Sequence, residues 1–232
     1  MPILNMIYWG WSWPTPPSPP IDWMVAYYLL EANANDSKAD FWATGTTYNA
    51  SWVGTSSYTT LWGKTTATFN ASDYINTGIS VGSWPITIAC MFYSTETQSN
   101  YRTETQSNYR TIIWTPIAWR SWWKHIGMCF HDITKFFARC GSSHQTESSP
   151  LTISSNTWYF AAIRIDGSWN AIVNLDTTTR TETSSSYNIT DTIYIWAWIG
   201  NKFNGWVKCV WIWNKSLSDE ELQQYKDYID SL

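Results

Sequence analysis

Apolar and β-branched residues fall in short runs along this chain, and Ser, Thr, Asn and Gly break the runs at close intervals. Runs of that length, bounded by turn-forming residues, predict the strands of a sandwich rather than alternating βαβ units. The pattern places strands at Met24–Leu30, Thr65–Phe69, Tyr74–Thr77, Ile86–Tyr93, Lys124–His131, Lys135–Cys140, Trp158–Ile165, Ala171–Leu175, Thr192–Trp198 and Val207–Trp213. Asp166-Gly167, lying between two of these runs, predicts a hairpin turn. The period changes once. From Asp219 to about Ser231, Leu222, Tyr225 and Ile229 recur at helical spacing, and Ser218 with Glu221 forms a capping box. That helix is expected to lay its apolar stripe on the sandwich edge. Strand alternation nominates Ile88, Phe160, Ala162, Ile199 and Trp213 for the core between two sheets.

Several segments also resemble a known family. IYIWAWIGNKFNGWVKCVWIWNKSLSDEELQQY (Ile193–Tyr225) carries an Ile-Gly, a Phe-x-Gly turn, a strand ending in Trp-Asn and a helix start. This order is similar to the C-terminal signature of the laminin-G-like domains, a branch of the concanavalin A-like lectin and glucanase superfamily. MVAYYLLEANANDSKAD (Met24–Asp40), ATFNASDYINTG (Ala67–Gly78), PITIACMFYS (Pro85–Ser94) and NTWYFAAIRIDGSWNAIVNLD (Asn156–Asp176) resemble its earlier motifs, in the family's order. The resemblance implies an all-β, two-sheet antiparallel jelly-roll sandwich with one short C-terminal helix. Such folds host sugar-binding modules, glycosidases and structural spacers, so the resemblance alone leaves function open.

At 232 residues the chain suffices for one such domain. Pro14–Pro20 is Pro/Ser/Thr-rich and reads as a linker. The division is therefore an N-terminal segment over 1–21 and a domain over 22–232. Formal charge is −4 without a basic block, which argues against nucleic-acid binding. The longest apolar run, about eight residues from Trp23, is too short for membrane insertion. The N-terminus lacks the charged and apolar regions of a secretory signal. Cys90, Cys129, Cys140 and Cys209 lack Cys-x-x-Cys spacing, so zinc is not expected, and Cys90 and Cys209 read as buried free thiols. Sequons at Asn49, Asn70, Asn188 and Asn214 are frequent by chance in a Ser/Thr-rich chain.

Nineteen Trp against eleven Gly inverts ordinary usage. Many of these Trp sit in turn contexts, as in Trp62-Gly63-Lys64, Trp119-Arg120-Ser121-Trp122-Trp123 and Gly167-Ser168-Trp169-Asn170. Turns favour residues that tolerate positive φ, which Gly does and Trp does not. With Gly in place of Trp at 23, 196, 198, 206 and 211, the family pattern sharpens. The expectation is that most of these positions are UGA codons read as glycine in the source organism, with Trp158 and Trp213 genuine. The competing reading is a Trp-rich surface that stacks on sugars.

Catalytic chemistry is hard to place. The glucanase branch uses a Glu-x-Asp-x-x-Glu strand, where alternation puts nucleophile and acid on one face. Glu96, Glu104, Glu182, Glu220 and Glu221 do not make that spacing, and His125, His131 and His144 lack a nucleophile motif. The chain is therefore not expected to be an enzyme. The octet TETQSNYR occurs twice in tandem, at 95–102 and 103–110, and reads as an inserted loop. The family resemblance implies a rim Ca²⁺, with Asp36 and Asn35 of the Asn33–Ser37 loop as the matching residues. Asp36 could equally be an Asx-turn residue, and Lys208-Cys209 stands where many members carry an acidic pair. No individual residue can be assigned to a sugar. The expected function is non-catalytic recognition of glycans, or of a cell-surface or virion protein, in an extracellular or virion-surface setting. A purely structural head, as on a phage tail, is the alternative, and a glycosidase the third.

Overall fold

The computed structural model describes residues 22–31, 33–35, 46–55, 57–61, 64–69, 73–80, 85–95, 110–114, 126–132, 135–140, 151–168, 170–183, 192–195 and 205–231. The strands are β1 (Met24–Leu29), β2 (Ser51–Val53), β3 (Ser57–Leu61), β4 (Lys64–Thr68), β5 (Tyr74–Ser80), β6 (Ile86–Ser94), β7 (Arg110–Trp114), β8 (Ile126–Asp132), β9 (Lys135–Cys140), β10 (Leu151–Thr152), β11 (Thr157–Ile165), β12 (Asn170–Leu175), β13 (Thr178–Thr183), β14 (Thr192–Ile195) and β15 (Gly205–Trp213). One helix, α1 (Asp219–Ser231), follows.

One sheet runs β13-β12-β11-β6-β15-β4-β3, and β1 pairs with the C-terminal half of β15 on the edge whose other half takes β4. The other sheet runs β10-β9-β8-β7-β14-β5-β2. The recorded pairings are antiparallel, and the architecture is the expected two-sheet jelly-roll sandwich with a C-terminal helix. Each of the ten expected strands is present, with ends moved by a few residues. The 196–198 end of one of them, and Ile199, lie outside the described residues, as do the linker and residues 96–109 of the octet repeat.

Alternation along the first sheet divides its side chains between two apolar layers. Ile88, Cys90 and Phe92, with Ala161, Ile163, Val210 and Ile212, join Ile75, Ile113, Met128, Phe136 and Ile195 of the other sheet in the inner core. Ala89, Met91, Phe160, Ala162, Cys209, Trp211 and Trp213 face outward and are covered by Leu217, Leu222, Tyr225 and Ile229. This corrects one expectation. Phe160, Ala162 and Trp213 are buried, but under α1 rather than between the sheets, because even-numbered residues of β11 face out and the register shift after Val207 turns the odd-numbered end of β15 the same way. The same division separates Cys90 from Cys209. They lie buried on adjacent strands but in opposite layers, not joined in a disulfide, and burial pushes the Cys90 thiol well above its ordinary range.

Trp23, just before β1, adopts φ 68° with 63% of its surface exposed. Glycine enters the left-handed region freely, whereas a bulky L-residue does so at a cost of about 1–2 kcal/mol. Replacing Trp23 by Gly is therefore expected to raise stability by about 1 kcal/mol, read as a higher urea midpoint with unchanged m-value. A lower midpoint would count against glycine as the fitting residue here.

Candidate functional site

The outward layer ends at a polar corner where β11, β12 and α1 meet. Arg164 lies on the outward face of β11 and is 4% exposed. A buried guanidinium is tolerated only when its donors are met. Here Nε donates to Asn174 Oδ1 at 3.1 Å, one terminal nitrogen donates to the Leu217 carbonyl at 2.8 Å, and the other pairs with Asp219. Thr87, opposite Arg164 on β6, donates to the Lys215 carbonyl and accepts from the Leu217 amide. These two side chains fix the 214–218 connection and so the entry of α1. The helix start is set by the expected capping box, since Ser218 N–H donates to Glu221 Oε2 at 2.8 Å and Glu221 N–H to Ser218 Oγ at 3.2 Å.

Between α1 and the β12–β13 hairpin lies a cleft of about 200 Å³. Phe160 and Leu222 give it an apolar floor, and Asn174, Asp176, Thr179, Gln223 and Lys226 supply polar walls. Asp176 holds the central place. It takes φ 49° at the hairpin, a conformation Asp and Asn tolerate better than most residues. Its N–H donates to the Phe160 carbonyl at 2.8 Å and its Oδ1 accepts the Phe160 N–H at 3.0 Å. Asp176 thus closes the β11–β12 ladder one pair beyond Ala161–Leu175. Lys226 donates to Asp230 Oδ2 at 2.8 Å, and Gln223 Nε2 to Asp227 Oδ1 at 2.6 Å.

Burial pushes the Asp176 carboxyl above its usual value, against the opposing pull of the Phe160 N–H and of Lys226. A raised folded-state pKa means that the fold favours the neutral acid. The associated stability is full below the unfolded-state pKa and lost as pH rises through the folded one. Asp176→Asn keeps the acceptor for Phe160 N–H and the left-handed turn. It is expected to raise the urea midpoint near neutral pH and leave it unchanged in acid; a lower midpoint near neutrality would contradict this.

The other expected site residues do not converge. Asn35 is exposed, and its N–H donates to Asn33 Oδ1 at 2.8 Å, so the described Asx turn is made by Asn33. Asp36 lies outside the described residues, as do His125 and His144. Among the described residues no three His, Cys, Asp or Glu side chains gather at metal-binding distance. Asp166 organises the expected hairpin turn, accepting from Ser168 and Asn170 N–H, and its bond from the Asn170 side chain is the foremost influence drawing its carboxyl down. Sequence reasoning missed Arg164, Asn174 and Asp176 as a group. A lone Arg inside an otherwise apolar strand was the available signal.

No family model matches the sequence, and no curated protein matches it. Solved structures do match its fold. Domain 4 of a GH43 extracellular arabinanase from Geobacillus stearothermophilus, solved with arabinotriose, aligns at TM-score 0.61 and 12% identity, over 86% of this chain and 96% of that one. The binding domain of botulinum neurotoxin DC, in complex with SialylT, aligns at 0.62 and 13%, over 89% of this chain and 52% of that one. Trypanosoma rangeli sialidase aligns at 0.64 and 11%, over 90% of this chain and 33% of that one. The chain thus spans about half the toxin domain and a third of the sialidase. At these identities the likeness establishes the β-sandwich fold. No helix among the described residues is long and apolar enough to cross a membrane.

Proposed function

We propose that this chain is a laminin-G-like recognition module that binds glycans without catalysis, in an extracellular or surface protein. The observation that carries the reading is the company its fold keeps: the matching structures include domains solved with arabinotriose and with SialylT. A sandwich with a polar cleft on an apolar floor suits a sugar, whose hydroxyls need hydrogen bonds and whose C–H faces need apolar contact. The absence of the glucanase carboxylate spacing from the sequence supports a binding role over hydrolysis. The test is a glycan array probed with the purified chain, alongside hydrolysis assays on the glycans it retains. Retention without hydrolysis is the expected result, and failure to retain any glycan would favour a structural head. Calcium belongs to this proposal only at the 33–37 loop, where Asp36 would supply the carboxylate that Asn33 and Asn35 lack. Melts in EDTA and in excess Ca²⁺ should then differ in midpoint, since a ligand of the native state stabilises it; identical midpoints would remove calcium.

A further inference from the structure

We propose that the cleft between α1 and the β12–β13 hairpin is a subsite for one neutral sugar residue of a larger glycan, with Asp176 accepting from its hydroxyls. This rests on the glycan-binding reading above and assigns it a place.

Size selects the ligand first. About 200 Å³ falls below the roughly 300–1,000 Å³ of pockets for drug-sized ligands, which leaves room for one ring rather than a chain. The walls are open: Thr177, Thr179, Asp219 and Gln223 are exposed, so further sugar units can continue over the surface.

Chemistry selects next. Phe160 and Leu222 offer an apolar floor for ring C–H groups. Asp176 Oδ1 is committed to Phe160 N–H, and the carboxylate's second oxygen is the acceptor that remains for a hydroxyl. Gln223 and Lys226 line the same cleft from one face of α1, and each gives one N–H to Asp227 or Asp230 and keeps a further donor for a ligand.

Charge excludes acidic sugars. Asp176 and Asp219 line the cleft, and Asp227 and Asp230 stand on the adjoining helix turns. The cations among these groups are already engaged, Arg164 by Asp219 and Lys226 by Asp230. A carboxylate-bearing sugar would meet more negative than positive charge, whereas a neutral residue meets acceptors and donors without that repulsion.

An amide would serve the fold at 176 as well as a carboxylate does, since Asn also tolerates left-handed φ and also accepts from Phe160 N–H. Asp176 lines the cleft with its Oδ1 taken by Phe160 N–H, so what Asp supplies over Asn is a second acceptor oxygen where the amide would place a donor. No Trp lines the site, although Phe160 packs on Trp211 beneath it at 6.1 Å.

The test uses an array of neutral arabino-, xylo-, gluco-, manno- and galacto-oligosaccharides beside sialylated and uronic-acid glycans, followed by titration of the best hit. The full chain should retain at least one neutral oligosaccharide. Asp176→Asn and Gln223→Ala should each weaken it at least tenfold, while thermal melts show both variants folded. Thr60→Ala, on the far edge of the first sheet, should bind as the parent does. Retention of acidic glycans alone overturns the proposal. So does a neutral hit that Asp176→Asn and Gln223→Ala bind as tightly as the parent, which moves the site elsewhere and leaves the glycan-binding reading standing. Retention of nothing on the array overturns both.

Discussion

Arg164→Ala is expected to lower the unfolding free energy by roughly 2–5 kcal/mol. The loss comes from what the side chain leaves behind. Asn174 Oδ1 and the Leu217 carbonyl are buried acceptors that each lose a charged donor, and an orphaned buried group costs about 1–3 kcal/mol. Asp219 contributes little to the loss, because its side chain is 68% exposed and water replaces the guanidinium. Asp219→Ala should therefore cost under about 1 kcal/mol. Arg164→Lys should recover only part of the deficit, since an ammonium lacks the planar fork that reaches three acceptors at once. Urea midpoints for the three variants test this. If Asp219→Ala proved as damaging as Arg164→Ala, the ion pair and not the buried acceptors would be holding the helix entry.

The second large effect separates two tryptophans of equal burial. Trp213 and Trp211 are both fully buried in the layer beneath α1. Trp213 packs edge-on to Tyr225 at 4.5 Å and donates Nε1 to its hydroxyl at 3.2 Å. Trp211 stacks on Tyr27 at 5.4 Å, but its Nε1 finds no acceptor among the described residues. Trp213→Ala is expected to cost about 3–5 kcal/mol, the usual range for a large aromatic deleted from a core. Phenylalanine should split the pair. At 213 it forfeits a hydrogen bond, whereas at 211 it retains the stack and removes an unmet donor, so Trp211→Phe should be near neutral. Equal losses at both positions would contradict the assignment.

The same pair bears on the glycine-code expectation. Burial does not sort genuine Trp from recoded Gly, since Trp211 fills its space as completely as Trp213. Local chemistry sorts better. Trp213, expected to be genuine, has its N–H met, while Trp211 does not, and Trp23 sits where glycine is at ease. We propose glycine at 23 on this ground, and sequencing of the natural protein by mass spectrometry decides each position separately.

The strands most legible in the sequence were those buried on both faces. Residues 86–94 and 207–213 are buried without interruption, and their runs of Ile, Met, Phe, Val and Trp announce it. Four of the five strands that patterning missed are sheet edges: β2, β3, β10 and β13. They are short, or rich in Ser and Thr, and their place comes from pairing rather than from an apolar signal. The cleft was hidden for a related reason. Asp176 lies inside a segment that resembles a family motif, and Asp219 inside a visible helix start, but only the crossing of α1 over β11 brings them to one place.

The middle of the first sheet is supplied by β15, which follows all of its partners in the chain. β15 joins β6 along one edge and β1 and β4 along the other, so none of these three has its native neighbour there until residues 205–213 have emerged from the ribosome. A nascent or truncated chain ending before Gly205 would expose strand edges on both sides of a gap, flanked by buried-type side chains, and such edges invite pairing with other chains. Contacts between Met24 and Trp213 are also about as distant in sequence as this domain permits, which favours slow, late closure of the sheet. Synthesis that stalls upstream of β15 is thus a stage at which this sheet is exposed to aggregation.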